Sequence, residues 1–268
     1  SLHKQKPCGD FKAVEVEDLD FESLNDYLTK HVFRVDQSKL QTESWTLIEK
    51  QAQQLLEKLK ETGIPLSQYA EGNIYRGVVT GSNQVFVIDE ETKEQLITQD
   101  PTSAEVIKPF LRGRDIKRYQ QPQAEEYVIF TRRGIDIEQY PAILEYLTQF
   151  REQLEPRPKD APSSKWKGRK PGSYEWYEIQ DAIDYYEKFE KPKIIIPAIV
   201  KSANYAFDTE GMYSNDKTTI ISKDDKYLVG LLNSKLSDFF IFNISSTKRG
   251  GYYEYKPMYV EQIPVADP

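Results

Sequence analysis

Residues 74–88 read Ile74-Tyr75-Arg76-Gly77-Val78-Val79-Thr80, then Gly81-Ser82-Asn83, then Gln84-Val85-Phe86-Val87-Ile88. Two runs rich in β-branched and aromatic residues flank a Gly-Ser-Asn triplet, the composition of two strands joined by a turn. Upstream the texture differs. Trp45, Ile48, Ala52, Leu55 and Leu59 recur three and four apart, one face of a helix that stops at Gly63 and Pro65. Leu24, Tyr27, Leu28 and His31 mark a shorter helical face, with Asp20 placed to cap it. The chain therefore passes near residue 74 from a helical, acidic segment to a β-rich one.

Downstream, helices and strands intermingle. A short strand is expected at 127–131, and Pro141 opens an amphipathic helix with Ile143, Leu144, Leu147, Phe150 and Leu154 on its face. Lys193-Ile194-Ile195-Ile196-Pro197-Ala198-Ile199-Val200 reads as a buried strand with a proline-marked bend. Strands at 205–207 and 218–221 follow, with a turn at 209–211 between them. Residues 227–242 read as a helix broken at Asn233-Ser234, and 259–265 as an edge strand interrupted by Pro264.

The net charge of −7 is unevenly spread: residues 1–100 carry 18 Asp/Glu against 11 Lys/Arg, and residues 101–268 carry 25 of each. A basic patch in the second region must therefore be offset by an acidic face. Net charge argues mildly against nucleic-acid binding, but local clustering sets the field in a cleft. The lone Cys8 excludes an intrachain disulfide and fits a reducing, cytoplasmic compartment. With only His3 and His31 beside it, no His/Cys zinc site can be assembled. No apolar run reaches membrane-spanning length and no secretory signal is present. A start at Ser1-Leu2-His3-Lys4, without methionine, suggests part of a longer protein.

Three stretches concentrate cations. Residues 107–119 set Lys108, Arg112, Arg114, Lys117 and Arg118 around Asp115, with Ile107, Phe110, Leu111, Ile116 and Tyr119 between them as apolar anchors. So anchored, guanidinium groups suit bidentate contacts to phosphate or guanine; a solvated charged loop is the alternative. Arg114 and Asp115 can equally form an internal ion pair that shapes the turn. Residues 156–173 hold four prolines and two glycines with Lys165, Lys167, Arg169 and Lys170 around Trp166, a long loop suited to phosphate contacts or merely mobile. Lys248, Arg249, Gly250 and Gly251 form a third stretch, in a polar, glycine-bearing loop.

Catalytic signatures are missing. No phosphate-loop lysine motif and no Gly-x-Gly-x-x-Gly occurs, and no Asn-Pro pair, so the Asn/Asp-Pro-Pro-Tyr loop of amino-methylating DNA methyltransferases is missing too. Glu91-Thr92-Lys93 fits half of a metal-dependent nuclease site but lies in an acidic surface run.

The order of segments resembles the TaqI-like C-terminal specificity domain, the target-recognition domain of adenine-specific DNA methyltransferases and fused restriction-methyltransferase enzymes. The resemblance rests on residues 75–89, on Lys108-Pro109-Phe110-Leu111-Arg112-Gly113-Arg114-Asp115-Ile116, and on Trp176-Tyr177-Glu178. Further matches are Lys191-Pro192-Lys193-Ile194, the turn at 208–213, Leu231-Leu232-Asn233-Ser234, and Gly250-Gly251 with Ile263-Pro264. It covers residues 74–268 and leaves 1–73 as a helical connector from a methyltransferase core. It implies an α+β fold with a curved, mostly antiparallel sheet and flanking helices. It also implies a non-catalytic module that holds double-stranded DNA for a catalytic domain, which would flip the adenine and bind S-adenosylmethionine, with Mg2+ where cleavage is coupled. The DNA-binding set is then Arg112, Arg114, Lys117, Arg118, Lys165, Lys167, Arg169, Lys170, Lys248 and Arg249, with no catalytic and no metal-binding residue. The alternatives are a separate specificity subunit bound to a methyltransferase partner, or a nuclease using Glu91 and Lys93.

Overall fold

Successive side chains of a strand point to opposite faces, so consecutive isoleucines are all buried only where both faces of the sheet are covered. Ile194, Ile195 and Ile196 meet that condition. In a computed structural model, which describes residues 9–16, 20–40, 49–162 and 166–266, they lie in the strand Lys193–Pro197, second in an antiparallel sheet. Its order is Ala206–Asp208, Lys193–Pro197, Thr218–Ile221, Ile74–Arg76. Ile195 and Ile220 face one core, and Ile194, Ile196 and Ile221 face another. Burying each isoleucine favours folding by roughly 1.5–3 kcal/mol, which makes this central sheet the hinge of the packing.

The first core is closed by a second sheet, in the order Tyr213–Ser214, Ile107–Leu111, Glu126–Ile129, Val87–Ile88, whose first pair is parallel and the others antiparallel. Leu96 from the helix Glu90–Gln99 and Ile143 and Leu147 from the helix Pro141–Thr148 cover it. The second core packs the central sheet against the helices Lys226–Leu232 and Lys235–Ile244. Their break lies at Asn233-Ser234, where Ser234 caps the second helix and the Asn233 side chain bridges both backbone groups of Tyr205. Smaller pairings join Asp10–Ala13 to Phe33–Asp36 and Thr247–Lys248 to Tyr252–Glu254 and Ile199–Val200. The fold is α+β and mostly antiparallel.

The hairpin expected at 74–88 does not form. Ile74–Arg76 joins the edge of the central sheet, Asn83–Phe86 is a helical turn, and Val87–Ile88 goes to the edge of the second sheet. Gly77 permits this divergence: a Cβ there would lie 1.9 Å from the Asn215 carbonyl oxygen, beside the parallel bridge Val78–Asn215. Helical geometry carries Val85 and Phe86 together into the first core, so packing overrides their β propensity. The segment 259–265 likewise begins as the helical turn Pro257–Val260, and only Pro264–Val265 is a strand.

At the N-terminal side, Ser23 rather than Asp20 caps the helix Leu24–His31. Trp45 and Ile48 lie outside the described residues. The helix Lys50–Thr62 half-buries Ala52 and Leu59 of the expected face, but buries Leu56 in place of Leu55, which is 36% exposed. Leu56, Leu66 and Ala70 belong to the second core, and Ile64–Pro65 pairs with Pro264–Val265. Residues 56–70 therefore fold with the C-terminal elements. Among the described residues no helix is long and apolar enough to cross a membrane.

Candidate nucleic-acid interface

Ile107–Leu111 is paired on both sides and sends Ile107, Phe110 and Leu111 into the first core. Past Leu111 the chain turns sharply at Gly113–Asp115. The Asp115 carboxylate accepts the Arg112 backbone N–H at 2.7 Å, and Asp115 N–H returns to the Arg112 carbonyl at 2.9 Å. Asp115 thus builds the turn through backbone, while the side chain of Arg114 is 73% exposed with its Nε 3.6 Å from Asp115. The Arg112 guanidinium is gripped by both carboxylate oxygens of Glu126, and Lys108 pairs with Glu190 at 3.2 Å. Buried Ile116 pins the far side. Asn204 holds the strand of chain beyond it, donating to the Ile116 carbonyl and accepting the Arg118 N–H, both at 2.7 Å. Lys117 and Arg118 project from this clamp with no carboxylate partner among the described residues. Tyr119, expected as an apolar anchor, is instead 68% exposed.

The third basic stretch is a hairpin. Thr247 pairs with Tyr253 and Lys248 with Tyr252, leaving Arg249-Gly250-Gly251 as the tip, where both glycines take positive φ (+86° and +74°) that side chains disfavour. Lys248 and Lys256 converge on Glu254 at 3.0 and 2.8 Å, and their hydrogen bonds hold its carboxyl below the usual glutamate range. Arg249 is exposed and has no ion pair among the described residues. Lys201 lies 5.4 Å above the ring of half-exposed Tyr252.

One stretch of backbone brings hairpin and turn together. Beyond Pro197, the Ala198 N–H reaches the Lys217 carbonyl and its own carbonyl accepts the Tyr255 N–H, each at 2.8 Å; Ile199 then pairs with Glu254. Gly113 lies against the same place, its Cβ position 3.2 Å from the Lys217 carbonyl and 3.6 Å from Pro197. These backbone contacts link the segments that carry Arg114, Lys117, Arg118, Lys201, Lys217, Lys248 and Arg249, together with Asp115, Asp216, which pairs with Lys217 at 2.9 Å, and Glu254. Beside them opens a cleft of about 570 Å3 lined by Arg114 and Lys117, by the carboxylates of Asp115 and Glu125, by Pro122, and by the amides of Gln120, Gln121 and Gln123. Lys201, Lys217 and the three glutamines carry no clustered-charge signal, and the turn composition of Asn215-Asp216-Lys217 was the one hint in the sequence.

The loop 156–173 behaves otherwise. Arg169 is 4% exposed, and its five N–H groups donate to the carbonyls of Leu154, Thr80, Glu178, Glu175 and Trp176 at 2.7–3.2 Å. A guanidinium has five N–H donors, so none is left for a phosphate; Arg169 is a structural residue and leaves the DNA-binding set. Burial lowers its pKa to about 10, which keeps it charged at neutral pH. Lys167 is exposed and pairs with Glu152 at 3.1 Å, Lys170 is exposed, and Lys165 lies outside the described residues. Trp166 donates to the Glu155 carbonyl at 3.3 Å. Among the described residues no hydrogen bond or ion pair ties this loop to those segments.

A family model described as the TaqI-like C-terminal specificity domain matches residues 108–265. The chain belongs to this family. It is 26% identical to the type II methyltransferase M.PaeR7I of Pseudomonas aeruginosa over 82% of its length and 37% of the relative's. It is 23% identical to the type II methyltransferase M.XhoI of Xanthomonas vasicola over 84% and 39%. The chain thus spans well under half the length of these relatives. Among solved structures, the type IIL restriction-modification enzyme MmeI in complex with DNA superposes with a TM-score of 0.50 and 17% identity, over 74% of this chain and 24% of that one. That likeness concerns the fold.

Upstream of the matched residues, the acidic run at 89–94 is a helix start. Asp89 caps Glu90–Gln99 by accepting the Thr92 N–H, and Lys93 bonds Glu90 and lies 4.2 Å over the Tyr127 ring. Glu91 and Lys93 are thus accounted for by the helix. Among the described residues no group of three or more His, Cys, Asp or Glu could hold a metal ion.

Proposed function

We propose that this specificity domain reads double-stranded DNA with the surface formed by residues 112–123 and the 247–254 hairpin. It would thereby position DNA for adenine methylation, with or without cleavage, by a catalytic domain outside the described fold. The observation that carries this reading is that stretches far apart in sequence, linked through the backbone of 197–204, carry Lys117, Arg118 and Arg249, which have no carboxylate partner among the described residues. In a chain of net charge −7, cations left unpaired in this way would give that surface a positive field. Phosphate contacts fix register, whereas arginine on guanine and glutamine on adenine read sequence; Arg114 and the glutamine-lined cleft supply both base-reading types.

The segment before Leu56 serves in this reading as the connector to the catalytic domain. S-adenosylmethionine, with Mg2+ where cleavage is coupled, would be held by that domain. The methyltransferase names of the two longer relatives favour a fused domain over a separate specificity subunit. Both arrangements use the same surface.

The test is equilibrium binding of the full-length protein to duplex DNA across a salt series. Lys117→Ala and Arg249→Ala should each reduce the slope of log K against log salt by about 0.9 and weaken all sequences alike. Unchanged slopes in both variants would remove the surface from the DNA interface.

A further inference from the structure

The turn at residues 117–120 holds a conformation that its sequence does not favour. Gln120 donates its N–H to the Lys117 carbonyl at 3.3 Å, and Tyr119, the third residue of the turn, has φ of +62°. Turns with positive φ at this position take glycine or asparagine, because a larger L side chain in the left-handed region crowds its own backbone. Among the described residues, Glu71 is the other non-glycine with positive φ. It follows the helix Leu66–Tyr69, and the Gly72 N–H returns to the Ser67 carbonyl, so a helix ending explains it. No helix precedes Tyr119.

Packing does not compensate either. Tyr119 is 68% exposed as a residue, its hydroxyl has no hydrogen-bond partner among the described residues, and the Arg118 guanidinium lies 6.0 Å from the ring centre. An exposed tyrosine alone needs no explanation. An exposed tyrosine fixed in a strained turn does. The turn is locked on both sides, by buried Ile116 with its Asn204 clamp and by buried Pro122.

The geometry points to Tyr119 as a nucleobase-contacting residue, whose ring stacks on a base exposed where the bound duplex is locally unstacked. The inference rests on the DNA reading proposed above. Arg118 and the adjacent cleft, which Lys117 and the glutamines line, would hold the backbone and the groove beside the ring. Aromatic rings stack on any base and wedge at steps that open easily, so such a contact adds affinity and favours deformable steps without reading hydrogen bonds.

The experiment measures binding of the full-length protein to the duplex that it enriches from a random pool, with Tyr119→Phe, Tyr119→Asn and Lys117→Ala beside the parent. Tyr119→Phe keeps the ring and should bind within about twofold of the parent, whereas Tyr119→Asn should bind about tenfold to a hundredfold more weakly. Asparagine accepts the left-handed region, so its Tm should not fall, and the salt slope should stay at the parent value because no phosphate contact is lost. Parent-like affinity in Tyr119→Asn, with Lys117→Ala weakened, would overturn the ring contact and leave the DNA reading standing. A lower Tm in Tyr119→Asn would overturn it as well, by making the ring a structural residue. Parent-like binding and slope in all three variants would overturn both the ring contact and the placement of DNA on this turn.

Discussion

Replacing Lys193 by methionine is expected to lower the unfolding free energy by about 3–5 kcal/mol, the usual cost of leaving one member of a buried ion pair without its partner. Lys193 and Asp208 are both fully buried. The lysine Nζ bonds Asp208 and the Phe189 carbonyl. Burial pushes the Lys193 pKa down and the Asp208 carboxylate pushes it back up, with a net lowering. Asp208 also accepts the N–H groups of Met212 and Glu210 at 2.9 Å and the Gln121 amide at 3.3 Å. The pair therefore fixes the turn after Ala206–Asp208 and one wall of the glutamine-lined cleft. Asp208→Asn keeps an acceptor for the backbone donors and should cost less than Lys193→Met. Chemical denaturation measures both; a parent-like midpoint for Lys193→Met would mean that the pair does not hold this corner.

Arg169→Ala is expected to destabilise by about 3 kcal/mol or more, since five backbone carbonyls lose a charged donor in a site closed to water. Arg169→Lys should not rescue it, because an ammonium has three donors and no planar fork. The salt slope of DNA binding should remain unchanged in any Arg169 variant that folds. A reduced slope with parent-like stability would return Arg169 to the DNA-binding set.

The same locus carries a pH dependence. Burial raises the Glu178 pKa, but hydrogen bonds from Arg133 and from the N–H groups of Glu175 and Gly134 outweigh it, so its carboxyl titrates below 4.5. A folded value below the unfolded one gives stability that is complete above pH 4.5 and lost as the pH falls through the folded value. Glu178→Gln should flatten that acid limb in a series of thermal melts.

Much of the architecture was legible in the sequence because it depends on period and burial. The run Ile194-Ile195-Ile196 announced a sheet covered on both faces, and Asn233-Ser234 announced the break between two helices. The hairpin at 74–88 was misread because the β propensity of Val85 and Phe86 was outweighed by the core they fill. The site was legible as clusters of charge but not as a division of labour. Arg112 and Arg114 stand two residues apart, yet Glu126 on the neighbouring strand takes one and leaves the other outward. Arg169 was beyond reach because its partners are carbonyls, which every residue has. Tyr119 fitted the alternation of apolar anchors with cations, and the backbone alone turned it outward.

The central claim, that this surface of the specificity domain reads DNA, is tested most directly by selection from a random duplex pool with the full-length protein and its Arg114→Ala variant. The parent should enrich one motif, and the variant should enrich that motif with one base pair relaxed, by roughly 1–3 kcal/mol of lost discrimination. An identical motif at identical affinity from a variant lacking Arg114, Lys117 and Arg249 together would contradict the account.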